Sequence, residues 1–230
     1  AKTILDIGCG NGISAVSFAK KGYTVTAVEP DPSNTVGAGA IKILKEKLEL
    51  HDLEVFQDYA EEIQFADNSF DIVYIRQAMH HAHNLQDFVR ECVRVLKPNG
   101  LLLTVRDHVV FDDKDKAWFL EAHPLHHFYG GENAYSADTY KQAIKQAGAT
   151  VVKELKHYDS VINYFPSTPE DLDRKIREKE KKHKKKLKRK LGVFVNIPLV
   201  WQLYKSLRGY SALNENQVAG RMYTYIALKK

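Results

Sequence analysis

Cysteine is nearly absent from this sequence, which has only Cys9 and Cys92 among 230 residues. Two cysteines cannot build a disulfide framework, and no Cys-x-x-Cys pair indicates a zinc or redox site. No stretch approaches the roughly 20 apolar residues that a membrane-spanning helix needs. No signal peptide is visible before the first apolar run, at residues 4–7. These absences predict a protein of a reducing compartment, and we expect it to be cytoplasmic.

Three glycines, Gly8, Gly10 and Gly12, follow that apolar run at alternate positions. The pattern predicts a strand, a tight turn and a helix. Glycine tolerates positive φ and lets backbone N–H groups approach a ligand closely. The spacing Gly-x-Gly-x-Gly is not the dinucleotide fingerprint, and no Gly-Lys-Ser/Thr phosphate loop follows. The turn therefore predicts a ligand site that does not hold a pyrophosphate.

A second predicted strand, residues 23–28, ends in Glu29 about twenty residues further on. A carboxylate at that position is suited to accept hydrogen bonds from both hydroxyls of a ribose. The pattern favours a nucleoside ligand without phosphates. Here the chain resembles the class I S-adenosylmethionine-dependent methyltransferases, whose first motif reads like residues 5–12.

The resemblance continues through four later segments: 55–58, 69–74, 96–103 and 221–228. It implies an α/β fold with a doubly wound seven-stranded sheet, mostly parallel with an antiparallel last strand, and helices on both faces. Strands are expected near 4–7, 23–28, 53–57, 70–75, 100–106, 149–156 and 221–228, and helices near 12–21, 34–50, 84–97, 115–123 and 137–147. We expect one domain over 1–230, with a helical and basic insertion at 166–217 between strands six and seven. Because the family usually has helices ahead of its first strand, we also expect this chain to lack such N-terminal lid helices.

The resemblance further implies S-adenosylmethionine as cofactor and S-adenosylhomocysteine as product. In the family, the acid matched by Asp58 contacts the adenine amino group, and the acid matched by Asp6 orders the glycine turn. The predicted cofactor-binding residues are Asp6, Gly8, Cys9, Gly10, Asn11, Gly12, Glu29, Pro30, Asp58, Tyr59, Arg76 and Gln77.

Residues 76–81, at the end of the fourth strand, contain no proline. Methylases of adenine N6 and of glutamine amides carry an Asn/Asp-Pro-Pro-aromatic motif there, so methylation of a flipped base is disfavoured. Methyl transfer is an in-line displacement that depends mainly on positioning, and it needs a base only when the nucleophile holds its proton tightly. Histidine titrates near neutral pH, and we predict His80, His81 and His108 as catalytic residues. The alternative is that one of the pair at 80 and 81 only caps or packs the next helix.

The stretch 123–135 is rich in histidine, tyrosine and glycine and lies between strand five and the next helix. Loops in this position commonly carry recognition residues, although a structural turn is the competing interpretation. The predicted substrate residues are Arg106, His126, His127, Tyr129, Glu132 and Asn133. No metal is expected, because no acid cluster suited to Mg²⁺ accompanies the histidines and Pro124 interrupts a helical pairing of His123 with His127.

The insertion has two parts. Residues 173–190 contain twelve Lys or Arg and three Asp or Glu, a net charge of +9 that leaves about −4 on the rest of the chain. A solvated helix and an arm for RNA or an anionic membrane surface are both open, although no aromatic residue interleaves the run as stacking on bases would favour. The second part, residues 193–208, is predicted to bury one helical face, and an apolar pocket or a membrane contact is the alternative. That face comprises Ile197, Val200, Trp201, Tyr204 and Leu207.

These observations predict methyl transfer from S-adenosylmethionine to an oxygen or nitrogen of a small molecule or a cell-surface precursor. Two alternatives stay open: an RNA methyltransferase that uses the arm at 174–190, and a catalytically silent S-adenosylmethionine-binding protein. The predicted partner is a small-molecule substrate, with nucleic acid as the alternative.

Overall fold

The computed structural model describes residues 2–123 and 133–230, which divide into two compact units. The first unit comprises residues up to Lys156 together with Ala219–Lys230. The second unit comprises His157–Val218.

The first unit is built on a seven-stranded sheet with the order β3-β2-β1-β4-β5-β7-β6. Strands β1 to β5 are parallel, and β7 runs antiparallel to both of its neighbours, β5 and β6. The strands are β1 Thr3–Ile7, β2 Thr24–Val28, β3 Leu53–Phe56, β4 Phe70–Arg76, β5 Leu96–Val109, β6 Ala149–Leu155 and β7 Arg221–Lys229. The predicted sheet and its antiparallel last strand are thereby confirmed.

Five helices belong to the first unit as far as it is described: α1 Ile13–Ala19, α2 Ala38–Lys47, α3 Leu85–Val95, α4 Asp113–Ala122 and α5 Ala137–Gln146. The apolar face expected on α3 is present, since Phe88, Val89 and Cys92 are buried in the main core. The helix begins at Leu85 because Asn84 caps it, accepting hydrogen bonds from two backbone N–H groups of the first turn.

Several element boundaries differ from those expected. The helix predicted over 84–97 ends at Val95, and strand β5 begins at Leu96 rather than near residue 100. Pro98 has no backbone N–H and cannot continue a helix, so the chain turns directly into the strand. The helix predicted over 34–50 is also shorter, Ala38–Lys47, because Asp31 and Ser33 hold a turn before it: the Asp31 carboxylate accepts the Ser33 N–H at 2.8 Å.

Strand register sets the position of the ligand-binding edge. Ile7 at the end of β1 is aligned with Val28 of β2 and with Ile75 of β4. The residues that follow these strands therefore meet at one edge of the sheet. In open α/β sheets, ligands bind outside the carboxyl ends of the strands.

The second unit contains α6 Val161–Tyr164, α7 Pro169–Leu191, a 3₁₀ turn at Gly192–Asn196 and α8 Pro198–Arg208. Thr168 and Asp171 form a reciprocal capping box at the start of α7. The expectation of one buried face on α8 is correct only in part. Trp201 is buried, whereas Ile197 and Leu207 are exposed. Leu207 lies six residues after Trp201, which is not a whole number of helical turns of 3.6 residues. Its side chain therefore points in a different direction from that of Trp201.

Candidate active site

The glycine turn after β1 is held by Glu29, the residue that follows β2. The Glu29 Oε2 atom accepts the Gly10 N–H at 2.7 Å, and Oε1 accepts the Asp31 N–H at 3.1 Å. Gly8 donates its N–H to the Val28 carbonyl at 2.9 Å. Burial raises the pKa of the Glu29 carboxyl, and the two backbone hydrogen bonds oppose that shift. Glu29 therefore organises the turn in addition to any contact with a ligand.

The three glycines of the turn have different reasons to lack a side chain. All three have positive φ, at 61°, 55° and 80° for Gly8, Gly10 and Gly12. A Cβ on Gly8 would lie 2.5 Å from the Cβ of Ala78, and one on Gly12 would lie 2.7 Å from Cγ1 of Ile41. Around Gly10 the nearest such atom is 3.8 Å away. Gly12 thus allows close packing on α2, while Gly10 supplies the N–H bound by Glu29.

Asp6 lies beneath the turn and is completely buried. Its Oδ2 accepts the Ser14 hydroxyl at 2.5 Å, whereas Oδ1 has no hydrogen-bond partner among residues 2–123 and 133–230. Burial raises the pKa of this carboxyl to about 7. Buried polar atoms are nearly always hydrogen-bonded, so an unused acceptor is a reason to expect a further partner here.

A pocket of about 400 Å³ opens at the carboxyl ends of the strands. This volume lies within the range of small-molecule sites. Seven of the predicted site residues line it: Gly8, Glu29, Pro30, Asp58, Tyr59, Gln77 and His81. Other predicted cofactor residues lie outside its lining, namely Asp6, Cys9, Gly10, Asn11, Gly12 and Arg76. Cys9 is a partly buried thiol in contact with the Val28 carbonyl, 3.6 Å from Sγ.

The side of the pocket formed by the segment after β3 combines polar and aromatic groups. Asp58 Oδ1 accepts the N–H of Tyr59 at 2.8 Å, and the Tyr59 ring is exposed. The ring of His83 meets that of Tyr59 edge-on at 6.5 Å, while the His83 N–H donates to Glu61 Oε1 at 2.9 Å. His83 and Glu61 line the pocket but were not predicted, because isolated polar residues in loops carry no spacing signal.

The two histidines after β4 lie in different surroundings. His80 is buried, and its Nδ1 lies 3.0 Å from Oδ1 of Asp107, which also accepts the His80 backbone N–H at 3.2 Å. His81 is exposed and lines the pocket, with its ring centroid 4.1 Å from that of His80. Asp107 is completely buried, and burial raises the pKa of its carboxyl to about 7. Sequence reasoning missed Asp107.

His108 is a third, buried histidine beside this pair. Its Nδ1 donates to the Gly220 carbonyl at 2.7 Å, and its ring lies 4.9 Å from that of His80 and 4.6 Å from that of Phe119. Burial lowers the pKa of His108 to about 3, with His80 as a further cause. Neither His80 nor His108 lines the pocket. Of the three predicted catalytic histidines, His81 is the one that reaches it.

Arg106, predicted to contact substrate, is buried on β5 with φ at 62°. Its N–H donates to Oγ1 of Thr224 at 3.2 Å, and its pKa is lowered by burial and by the charge of Arg76. Asn133 Oδ1 accepts the Ala134 N–H at 2.9 Å. The other predicted substrate residues, His126, His127, Tyr129 and Glu132, lie outside the described residues. Within the described parts of the chain, no group of three or more His, Cys, Asp or Glu side chains is arranged to hold a metal ion.

Comparisons with known proteins find methyltransferases similar to this chain. Residues 5–104 match the methyltransferase domain family. Over 100 residues the chain is 34% identical to the ubiquinone biosynthesis O-methyltransferase of Rickettsia typhi, covering 44% of this chain and 39% of that protein. Over 110 residues it is 36% identical to the uncharacterized methyltransferase YcgJ of Bacillus subtilis, covering 48% of this chain and 42% of YcgJ. The chain thus spans about two fifths of the length of these curated relatives.

Solved structures share this α/β fold. The crystal structure of YcgJ superposes with a TM-score of 0.61 at 18% identity and covers 100% of this chain and 92% of that chain. The geranyl diphosphate C-methyltransferase of Streptomyces coelicolor, solved with Mg²⁺, geranyl diphosphate and S-adenosylhomocysteine, gives a TM-score of 0.61 at 16% identity and covers 100% and 72%. No described helix is both long enough and apolar enough to cross a membrane.

Proposed function

We propose that this chain, which carries a class I S-adenosylmethionine-dependent methyltransferase domain, transfers a methyl group to an oxygen or nitrogen of a small-molecule acceptor. One observation carries the proposal. A buried glutamate at the end of β2 holds the glycine turn and lines a pocket into which a histidine also reaches. The name of the Rickettsia relatives, an O-methyltransferase, supports oxygen as the first atom to test.

The residues present fit the cofactor. Each Glu29 carboxylate oxygen accepts one backbone N–H, and each keeps a lone pair for a ribose hydroxyl. Asp58 lies in the same pocket lining and would accept from the adenine amino group. Asp6, whose buried Oδ1 has no partner among the described residues, would order the turn and contact the amino group of the methionine part indirectly. When bound, S-adenosylmethionine supplies an electrophilic methyl group on a sulfonium.

On the acceptor side, His81 is the residue that would receive a proton. It lines the pocket and is exposed, and an imidazole can take a proton from a hydroxyl near neutral pH. His80 is held by Asp107 through Nδ1, and its ring lies against that of His81. We therefore treat His80 and Asp107 as positioning residues for His81. Most of the acceleration would come from alignment of the acceptor in the pocket.

The test is transfer of a labelled methyl group from S-adenosylmethionine to small-molecule extracts, followed by identification of the labelled product. His81→Gln should lower kcat by about 100-fold or more and leave S-adenosylhomocysteine affinity within about threefold, a difference of less than 1 kcal/mol. His83→Gln, which changes another histidine of the pocket lining, is the matched control and should keep most of the activity. If the labelled methyl group is found in RNA and not in small molecules, the acceptor is RNA and the proposed acceptor class is wrong. Cofactor binding without transfer to any pool would replace the proposal with a silent binding protein.

A further inference from the structure

The second unit has an aromatic core that joins its two longer helices. Trp201 of α8 is buried and stacks on Tyr204, with ring centroids 5.7 Å apart and planes within 10°. The His183 Nε2 atom of α7 lies 3.0 Å from the Tyr204 hydroxyl, and the Tyr210 ring lies 4.4 Å from that of His183. These rings pack on one another, so they do not form an open platform on which nucleic-acid bases could stack.

Two further contacts, an ion pair and a cation–π contact, join α7 to α8 beside this core. Lys205 Nζ lies 3.1 Å from Oε1 of Glu180, and Lys184 Nζ lies 5.0 Å from the centre of the Trp201 ring. Glu180 is thereby engaged by a cation of α8.

A basic groove follows one side of α7. It has a volume of about 470 Å³ and is lined by Arg177, Glu180, Lys181, Lys184, Lys185, Lys188 and Asn196. Residues 181–188 contain six lysines and no acid. With its one acidic residue paired to Lys205, the groove is suited to anionic groups repeated along a surface.

An exposed apolar turn adjoins the groove. Asn196 belongs to both, since it lines the groove and ends the 3₁₀ turn. Around it, Val193, Phe194 and Leu199 are 69%, 63% and 73% exposed. Single exposed apolar residues are common, but several large ones in adjoining positions mark a contact surface.

We propose that the second unit binds the surface of an anionic lipid bilayer. The lysines of the groove would contact headgroup phosphates, and Val193, Phe194 and Leu199 would enter the interface between headgroups and acyl chains. Basic side chains beside exposed apolar ones are the combination that interfacial binding requires. RNA is the weaker partner, because it would use the lysines but has no need of the apolar turn, and the rings of the aromatic core are packed internally.

The test is co-sedimentation of the 230-residue chain with vesicles of phosphatidylcholine alone or with about one third phosphatidylglycerol. Binding should require the anionic lipid and should weaken as NaCl is raised from about 50 mM to about 300 mM. A triple variant, Lys181→Glu, Lys185→Glu and Lys188→Glu, should lose at least about 100-fold in affinity, since each lysine near such a surface is worth about 1 kcal/mol and each glutamate that replaces it is repelled. The matched control reverses three exposed lysines of the first unit, Lys20, Lys21 and Lys47, with the same change in net charge, and should bind as the parent does.

A second variant tests the apolar contribution. Phe194→Ser with Leu199→Ser keeps every charge and should still lose about tenfold or more in affinity. Circular dichroism checks that each variant is folded. The proposal is overturned if the parent does not bind anionic vesicles or if the control variant loses as much affinity as the groove variant. It is also overturned if Phe194→Ser with Leu199→Ser has no effect on vesicle binding. If single-stranded RNA binds more tightly than vesicles and through the same lysines, the groove is a nucleic-acid site.

Discussion

Replacing Glu29 with glutamine tests the cofactor site most directly. In the parent, each carboxylate oxygen accepts a backbone N–H, from Gly10 at 2.7 Å and from Asp31 at 3.1 Å. The amide keeps the size of the side chain but has only one oxygen. Its NH₂ group must then face a backbone donor, and it cannot accept from a ribose hydroxyl at that position. The substitution therefore removes acceptors while changing the packing very little.

The expected size of the effect follows from those acceptors. A hydrogen bond to a charged group is worth about 1.5–3 kcal/mol, about twice a neutral one. Loss of one ribose contact and weakening of the other should cost about 2–4 kcal/mol of binding free energy, or about 30-fold to 1,000-fold in Kd. Burial raises the pKa of Glu29, so the parent should also bind less tightly as the pH falls and this carboxylate is protonated.

The assay is calorimetric titration of the parent and of Glu29→Gln with S-adenosylmethionine and S-adenosylhomocysteine. Glu62→Gln, which neutralises an exposed glutamate outside the pocket lining, is the control and should bind within about twofold of the parent, well under 1 kcal/mol. Thermal unfolding without ligand shows whether the glycine turn has been weakened. A folded Glu29→Gln protein that binds both ligands as the parent does would refute the assignment of Glu29 to the ribose.

Three further predictions concern stability and are measured by denaturant unfolding. Gly8→Ala should destabilise more than Gly10→Ala by about 1–3 kcal/mol, because both have positive φ but only the Cβ at Gly8 would collide, with Ala78; equal losses would contradict the steric argument. In the parent, the folded pKa of Asp107, about 7, lies above the unfolded value, so the folded state binds one more proton between about pH 4 and pH 7 and the free energy of unfolding falls as the pH rises through that window. Asp107→Asn should remove this fall. An unchanged pH profile would mean that Asp107 ionises normally. Arg221→Met should cost about 3–5 kcal/mol, because it leaves the carboxylate of Asp115 without the buried guanidinium that it contacts with both oxygens, whereas a neutral result would mean that this pair is easily replaced.

The sheet and its ligand-binding edge were predictable because they depend on short-range patterns. Apolar runs bounded by turn residues indicate buried parallel strands, and Glu29 was found from its place directly after such a run. The family resemblance supplied the number of strands and the antiparallel last strand, which no local pattern contains. The prediction that Glu29, Asp58 and Gln77 meet at one site agrees with the pocket lining; their roles toward a cofactor stay predictions.

The histidines show what sequence patterns could not resolve. His80 and His81 are adjacent, yet the first is buried and the second is exposed, because the 3₁₀ turn Met79–His81 directs successive side chains to different surroundings. The partner of His80 is Asp107, which lies 27 positions away at the far end of another strand. Periodicity reports which residues share a face of one element, and it contains no information on contacts between the ends of two strands.

The protonation of these residues limits which of them could act on an acceptor. A histidine with a pKa of about 3, as burial gives His108, is neutral at physiological pH but too weak a base to draw a proton from a hydroxyl. Its Nδ1 is also committed to the Gly220 carbonyl. The His80 ring is buried beside Asp107, away from the pocket lining. We therefore predict that proton transfer, where the acceptor requires it, falls to His81, the one of the three histidines that lines the pocket.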